Sequence, residues 1–393
     1  MITRQLLKEI IEDQQEVFKR KGWIDRFAEM PLKSSRIVIV TGIRRCGKST
    51  LLKQKLLPGE RGLCINFEDT RLVGFTLEDF QKLEDLFRES SRAYLVLDEV
   101  QMVKGWELYA RAAHEKGISL FISGSNASML SRELGTHLTG RYRAIELFPF
   151  SYGEYLVHAR QERGIGSFEG YFSHGGFPEY LEDQDPGYHR TLLRDIITRD
   201  IAVRRNIQNE NQLIRLAVHL LSNTGKEFSY NRLAGLLEFK SVRTVIDYCD
   251  YLRDSYILDL VPMFAFSYRK QIANPKKAYG VDPAFARSNS TSFSQDLGRR
   301  LENMVYNKLR QQHLEIFYLR QQGAECDFLV KEKGRVIMAV QSCWEVNNEN
   351  MARELAGLRV AREVAGAGKP VIITWDQEDT LDGIPLVPAW KWL

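Results

Sequence analysis

The stretch Thr41–Thr50, TGIRRCGKST, constrains this chain more than any other, because Gly42 to Ser49 spells G-x-x-x-x-G-K-S directly after the apolar run Ile37 to Val40. A buried strand, a glycine loop and a helix in that order let backbone N–H groups wrap around phosphate oxygens. The glycines remove the Cβ atoms that would block the approach, and the helix beginning near Lys48 adds the positive end of its dipole. Lys48 is expected to reach the β- and γ-phosphates of ATP and Ser49 to ligate Mg²⁺. Gly42, Ile43, Arg44, Arg45, Cys46, Gly47 and Thr50 complete the expected cradle. With glycine at about 7% of residues, a chance match in a chain this long has odds of roughly a per cent.

At 393 residues the chain is long for one domain and suggests two or three. A net charge of +4 permits a nucleic-acid partner without requiring one. The five cysteines, Cys46, Cys64, Cys249, Cys326 and Cys343, are scattered, odd in number and never in C-x-x-C spacing. Neither a disulfide framework nor a zinc site is indicated, and the expected compartment is reducing. No apolar run approaches the ~18 residues of a membrane span, and charges stand where a signal peptide needs an apolar core. The expected location is the cytoplasm.

In chain order, Leu6, Leu7, Ile10, Ile11 and Phe18 recur at helical spacing and predict an amphipathic N-terminal helix packed on the core. After a helix over Ser49 to Leu56, strands are expected at Gly62 to Phe67 and Tyr94 to Leu97, with a helix over Thr76 to Ser90 between them. The second of these strands ends in Asp98-Glu99, the arrangement of a Walker B motif. Asp98 is expected to hold Mg²⁺, directly or through water, and Glu99 to polarise the attacking water. A fourth strand, Ser119 to Ser123, runs into SGSN, where Ser125 and Asn126 are the candidates for sensing the γ-phosphate. Both are equally suited to capping the next helix, Ala127 to Leu138. A fifth strand is expected over Arg143 to Leu147.

TGIRRCGKST, LDEVQ, SGSN, LTGR, LFPFSYGEYL and GGFPEYL together resemble a family of prokaryotic AAA+-type ATPases that carry a C-terminal domain of unknown function with a nuclease-like fold. The resemblance implies an α/β chain in three parts: a P-loop AAA+ ATPase core with a parallel sheet over 1–155, a helical lid and winged helix over 156–285, and an α/β PD-(D/E)xK-like domain over 286–393. It places an arginine finger at Arg141, acting on a neighbouring subunit and so implying a homo-oligomer. It also aligns Gly176-Phe177-Pro178 with the G-x-P signature by which the lid of the related STAND ATPases touches the adenine side of the nucleotide.

Three short helical patterns, Gln212 to Leu221, Tyr230 to Glu238 and Ser241 to Arg253, precede apolar Ile257 to Val261 and the basic stretch SYRKQIANPKK. That order reads as a winged helix. Arg243 and Thr244 are placed to face a groove, and Arg269, Lys270, Lys276 and Lys277 to contact phosphates. A protein interface is the alternative use of the same module.

The last segment opens with a helix over Asp296 to Leu309 carrying Glu302, then EIFYLR, AECDFLV and VIMAVQSCW as three strands. In the PD-(D/E)xK resemblance Glu302, Asp327 and the run Gln341-Ser342-Cys343 converge on Mg²⁺. Gln341 brings no charge and Cys343 stands in the place of the lysine, so nuclease activity is not expected. Glu325 shares a strand face with Asp327. A neighbouring lysine could migrate into the role, but Lys331 and Lys333 lie at a strand end and turn. The expected activity is Mg²⁺-dependent ATP hydrolysis, on nucleic acid or, alternatively, as a slow STAND-like switch with a protein partner.

Overall fold

A computed structural model describes residues 2–18, 23–57, 61–125, 138, 140–291, 296–313 and 315–393. They divide into two compact units, Met1–Phe148 and Pro149–Leu393.

The first unit runs α1 (Arg4–Phe18), β1 (Ile37–Thr41), α2 (Lys48–Leu56), β2 (Gly62–Asn66), α3 (Asp79–Glu89), β3 (Tyr94–Asp98), α4 (Trp106–Glu115), β4 (Leu120–Gly124) and β5 (Tyr142–Glu146). The strands form a parallel sheet in the order β2-β3-β4-β1-β5. All five residues of β1 are buried, which is why this strand reads as an unbroken apolar run rather than an alternating one. Parallel pairing brings the C-terminal strand ends to one edge: Val40 lies beside Ser123, Leu97 beside Ile122, and Asn66 beside Asp98. That edge is where an open parallel sheet binds ligands. Helix α1 buries Leu7, Ile10 and Ile11 in one core with Leu63, Ile65 and Leu83, each such burial contributing about 1.5–3 kcal/mol. The helix expected over Ala127 to Leu138 lies, except for Leu138, outside the described residues.

The second unit begins with α5 (Tyr152–Ala159), α6 (Ile165–His174), α7 (Pro178–Asp183) and α8 (Tyr188–Asp195), the last continuing into π-helical Ile196–Ala202. SYGE starts α5 through a capping box in which Ser151 and Glu154 each bond the other's backbone N–H. Next come α9 (Glu210–Ser222), β6 (Glu227–Phe228), α10 (Tyr230–Leu236), α11 (Val242–Asp254), β7 (Leu258–Pro262), α12 (Tyr268–Ala273) and β8 (Lys276–Gly280). The hydroxyls of Ser229 and Ser241 cap α10 and α11, and the three strands pair antiparallel in the order β6-β8-β7. The basic stretch SYRKQIANPKK thus contains a short helix and the start of a strand.

After α13 (Pro283–Ser288) the chain forms α14 (Leu297–Gln312), β9 (Glu315–Gln321), β10 (Ala324–Glu332), β11 (Arg335–Ser342), α15 (Met351–Ala365), β12 (Pro370–Thr374), β13 (Asp379–Leu381), β14 (Ile384–Pro388) and α16 (Ala389–Trp392). Its six-stranded mixed sheet has the order β13-β14-β12-β11-β10-β9. The three expected strands form one antiparallel half, and β12 to β14, not read from the sequence, extend it through parallel pairing of β11 with β12. Among the described residues no helix is long and apolar enough to cross a membrane.

Candidate functional site

The loop after β1 is built so that only glycine fits at its first position. Gly42 has φ +149°, and a Cβ there would lie 2.0 Å from the Leu147 carbonyl oxygen. Gly47 heads α2 with φ +98°, and a Cβ would approach Arg26 Nη1 to 2.9 Å. Arg45 is also left-handed, with φ 65°. Arg26 is buried beneath the loop, where Nη1 donates to the Cys46 carbonyl and Nη2 to the Phe148 carbonyl at 2.7 Å. The sequence reading did not single out Arg26, and nothing in the motif points to a residue so far upstream. The side chains of Ile43 and Cys46 are buried, which leaves the cradle to the loop's backbone. Cys46 donates its thiol to Leu147 O at 3.3 Å, and burial pushes that thiol up. Arg44 pairs with Glu68 at 2.6 Å, and Thr50 follows Ser49 in the first turn of α2. A helix leaves its first N–H groups without intrahelical acceptors, so the start of α2 supplies amides for an anion.

Lys48 is 3% exposed, with Nζ 3.2 Å from Gly42 O, 3.1 Å from Ile43 O and 3.6 Å from Glu99 Oε1. Burial works against its charge, but the Glu99 carboxylate and its neighbours outweigh that and hold the ammonium above its ordinary range. Ser49 Oγ donates to Asp98 Oδ1 at 3.0 Å, and Asn66 Nδ2 donates to Asp98 Oδ2 at 3.1 Å. Burial, reinforced by Glu99, raises the Asp98 carboxyl, against the hydroxyls of Ser123 and Ser49. Glu99 has φ 52° and ψ 42°, a left-handed conformation uncommon for a residue with a side chain, which turns the chain abruptly out of β3.

Ser123 lies between the two motifs: its hydroxyl donates to Asp98 Oδ1 and accepts the Glu99 N–H at 3.0 Å. Ser125, expected in that place, is one step removed. It accepts from Gln101 Nε2 at 3.4 Å, and Gln101 in turn donates to Glu99 Oε2. Asn126 lies outside the described residues. Asn66 and Ser123 were missed because only the register of β2, β3 and β4 sets them beside Asp98. The hydroxyl of Ser49 and carboxylate of Asp98 are hard oxygen donors that fit Mg²⁺, which characteristically takes one or two protein ligands and completes its shell with phosphate and water.

Arg141 precedes β5, where its carbonyl accepts the Ile37 N–H at 2.9 Å and its guanidinium lies 3.5 Å from Glu115 Oε1. Tyr142 pairs with Ile37, so Arg141 stands at the N-terminal edge of the sheet while the phosphate loop leaves the C-terminal edge, a strand length of about 16 Å away. Within one chain these two ends do not meet. Pro178 belongs to the second unit, as the first residue of α7.

In the second unit Arg243 is exposed and pairs with Asp247 at 3.0 Å, Thr244 follows it in α11, and Arg269 and Lys270 lie exposed on α12. The phosphate-contact expectation fails for Lys277. It is 2% exposed, on β8, with Nζ 3.0 Å from Glu302 Oε1, 2.7 Å from Glu325 Oε1 and 3.6 Å from Asp327 Oδ1. Burial opposes its charge, but Glu302 and the adjoining acids hold the ammonium well above its ordinary range. Lys276 is half-buried and donates to Ile272 O and Asn274 O. Glu302 and Asp327 do come together. Gln341 Oε1 accepts the Asp327 N–H at 3.2 Å, and Ser342 N donates to Asp327 Oδ2 at 2.9 Å. Cys343 is buried, its thiol pushed up to about 11. Lys331 pairs with Glu315 at 2.8 Å.

A five-stranded parallel sheet with a glycine-wrapped phosphate loop, a lysine and serine at the helix start, and Asp-Glu at the end of a neighbouring strand define a P-loop nucleotide-binding protein. Residues 34–156 match the model of a family described as an AAA domain, and residues 165–296 match a domain of unknown function. The first unit therefore carries most of the stretch that matches an AAA domain. The chain is 29% identical over 429 residues to an uncharacterized protein of Methanocaldococcus jannaschii, covering 100% of this chain and 96% of that one. It is 27% identical over 384 residues to an uncharacterized protein of Haemophilus influenzae, covering 91% and 94%. Among solved structures it is similar to the Aeropyrum pernix Orc1 protein in complex with DNA at TM-score 0.33 and 12% identity, covering 73% of this chain and 90% of that chain. The Hsp104–ADP complex of S. cerevisiae follows at TM-score 0.30 and 12% identity, covering 65% and 39%.

Proposed function

We propose that the chain binds ATP with Mg²⁺ at the phosphate loop and hydrolyses it. Lys48 holds phosphate, Ser49 and Asp98 hold the metal, and Glu99 orients the attacking water. Bound Mg²⁺ supplies charge neutralisation of the phosphates. The observation that carries this reading is the direct Ser49–Asp98 hydrogen bond of 3.0 Å beside the buried Lys48–Glu99 pair, which gathers both motifs into one set. Arg141 is proposed as a finger acting on the site of a second copy of the chain.

The region from α9 to β8 is read as a winged helix, with exposed Arg243, Arg269 and Lys270 as its contacts to nucleic acid. One observation favours the switch reading instead. Glu99 is engaged by both Lys48 and Gln101, which restrains a base that turnover requires free. ATPase rate with and without DNA, together with mass in solution with and without ATP, separates the two. Strong stimulation by DNA supports the first, and tightly held ADP with negligible turnover supports the second. No nuclease activity is proposed for the C-terminal region, and a reducing, cytoplasmic setting is proposed from the cysteine pattern.

A further inference from the structure

The PD-(D/E)xK resemblance implies a divalent metal among the acids of α14 and β10. The residues present do not fit one. An ammonium group already stands there, within 3.6 Å of Glu302, Glu325 and Asp327, almost wholly shielded from solvent. The same acids meet further groups. Tyr279 OH donates to Glu302 Oε1 at 2.5 Å, Ser342 N donates to Asp327 Oδ2, and Glu302 Oε2 faces Gly225 so closely that a Cβ there would lie 2.9 Å from it. Gln341, in the place of a carboxylate ligand, donates its amide to Glu354 Oε2 at 2.6 Å and turns its carbonyl to Asp327 N.

We infer that Lys277 is the resident cation of this cluster, taking the position of a divalent metal and locking β8 to the acidic end of the six-stranded sheet. An ammonium bonded to these carboxylate oxygens competes with a divalent ion for them and repels it. A buried ammonium is tolerable only with such partners, and three buried or half-buried carboxylates only with such a cation. The lysine comes from the stretch matched by the domain of unknown function at 165–296, whereas all three acids lie beyond it, so the cluster needs both parts of the unit.

The test uses the full chain, with Mn²⁺ as the probe. Bound Mn²⁺ is counted by electron paramagnetic resonance without nucleotide, in wild type and Asp327→Asn. Equal counts are expected, because the cluster takes no metal; Mn²⁺ bound by wild type and lost in Asp327→Asn overturns the inference. Thermal unfolding supplies the second arm. Lys277→Met is expected to lower the Tm of the second unit by roughly 10 °C, since it strands buried carboxylates. Adding Glu302→Gln and Asp327→Asn to that variant is expected to recover more than half of the loss. A Lys277→Met protein as stable as wild type, or no recovery on neutralising the acids, overturns the lock. Where Lys277→Met alone does not fold, the triple variant and the wild-type Mn²⁺ count decide.

Discussion

Lys48 Nζ and Glu99 Oε1 lie 3.6 Å apart with both side chains buried, so the residue assigned to phosphate and the residue assigned to water form one ion pair inside the site. Each partner's loss should therefore have a different signature.

Lys48→Ala is expected to weaken ATP binding by about 100-fold or more, because it removes the cation proposed to hold phosphate. Glu99→Gln should retain binding while turnover falls by at least about 100-fold. Fluorescent-nucleotide titration and phosphate release check the pair, and equal turnover in Glu99→Gln and wild type would remove Glu99 as the base.

Ser123→Ala should impair turnover more than Ser125→Ala. The Ser123 hydroxyl serves Asp98 and the Glu99 backbone at once, and its loss strands buried partners at about 1–3 kcal/mol. Ser125 meets only Gln101 in that network. Steady-state rates of the two variants side by side decide the order, and a reversed order refutes it.

Arg141→Ala is expected to lower turnover by about 1,000-fold or more without weakening ATP binding, since a finger acts on transition-state charge. The opposite-edge position of Arg141 requires that wild-type specific activity rise with protein concentration as subunits assemble. A monomer that hydrolyses ATP at a concentration-independent rate excludes the finger.

DNA binding, measured by anisotropy across a salt series, should fall steeply with ionic strength. Replacing Arg269 and Lys270 by alanine should flatten the log–log slope by about 1.8, which is about 0.9 for each phosphate that no longer meets a cation. Lys277 is left out because it is buried. An unchanged affinity assigns α12 and its surroundings to a protein interface.

No cleavage of single- or double-stranded DNA or RNA is expected with Mg²⁺ or Mn²⁺. Cys343 brings no fixed cation, and Lys277 Nζ is engaged by Glu302, Glu325 and Asp327. Cleavage by wild type that vanishes in Asp327→Ala restores the nuclease reading.

The phosphate loop was legible in the sequence because its requirements are local. Positive φ at Gly42 and Gly47, a lysine and serine at a helix start, and an apolar strand before them are all met within a short continuous run. Asp98-Glu99 was legible for the same reason, as the end of one buried strand. Ser123, Asn66 and Arg26 were not, because register and packing bring them to the loop from separate elements. Lys277 shows the limit most clearly. In KKAYG the two faces of the strand each begin with a lysine, so alternation does not tell which one points inward. The packing of β8 against α14 and β10 settles it: Lys277 and Tyr279 share the face that meets Glu302, and Lys276 takes the other. Sequence determined which side chains carry charge and where the chain turns. Only tertiary structure decided which charges left water together, because the cost of burying a cation is set by the partners waiting for it.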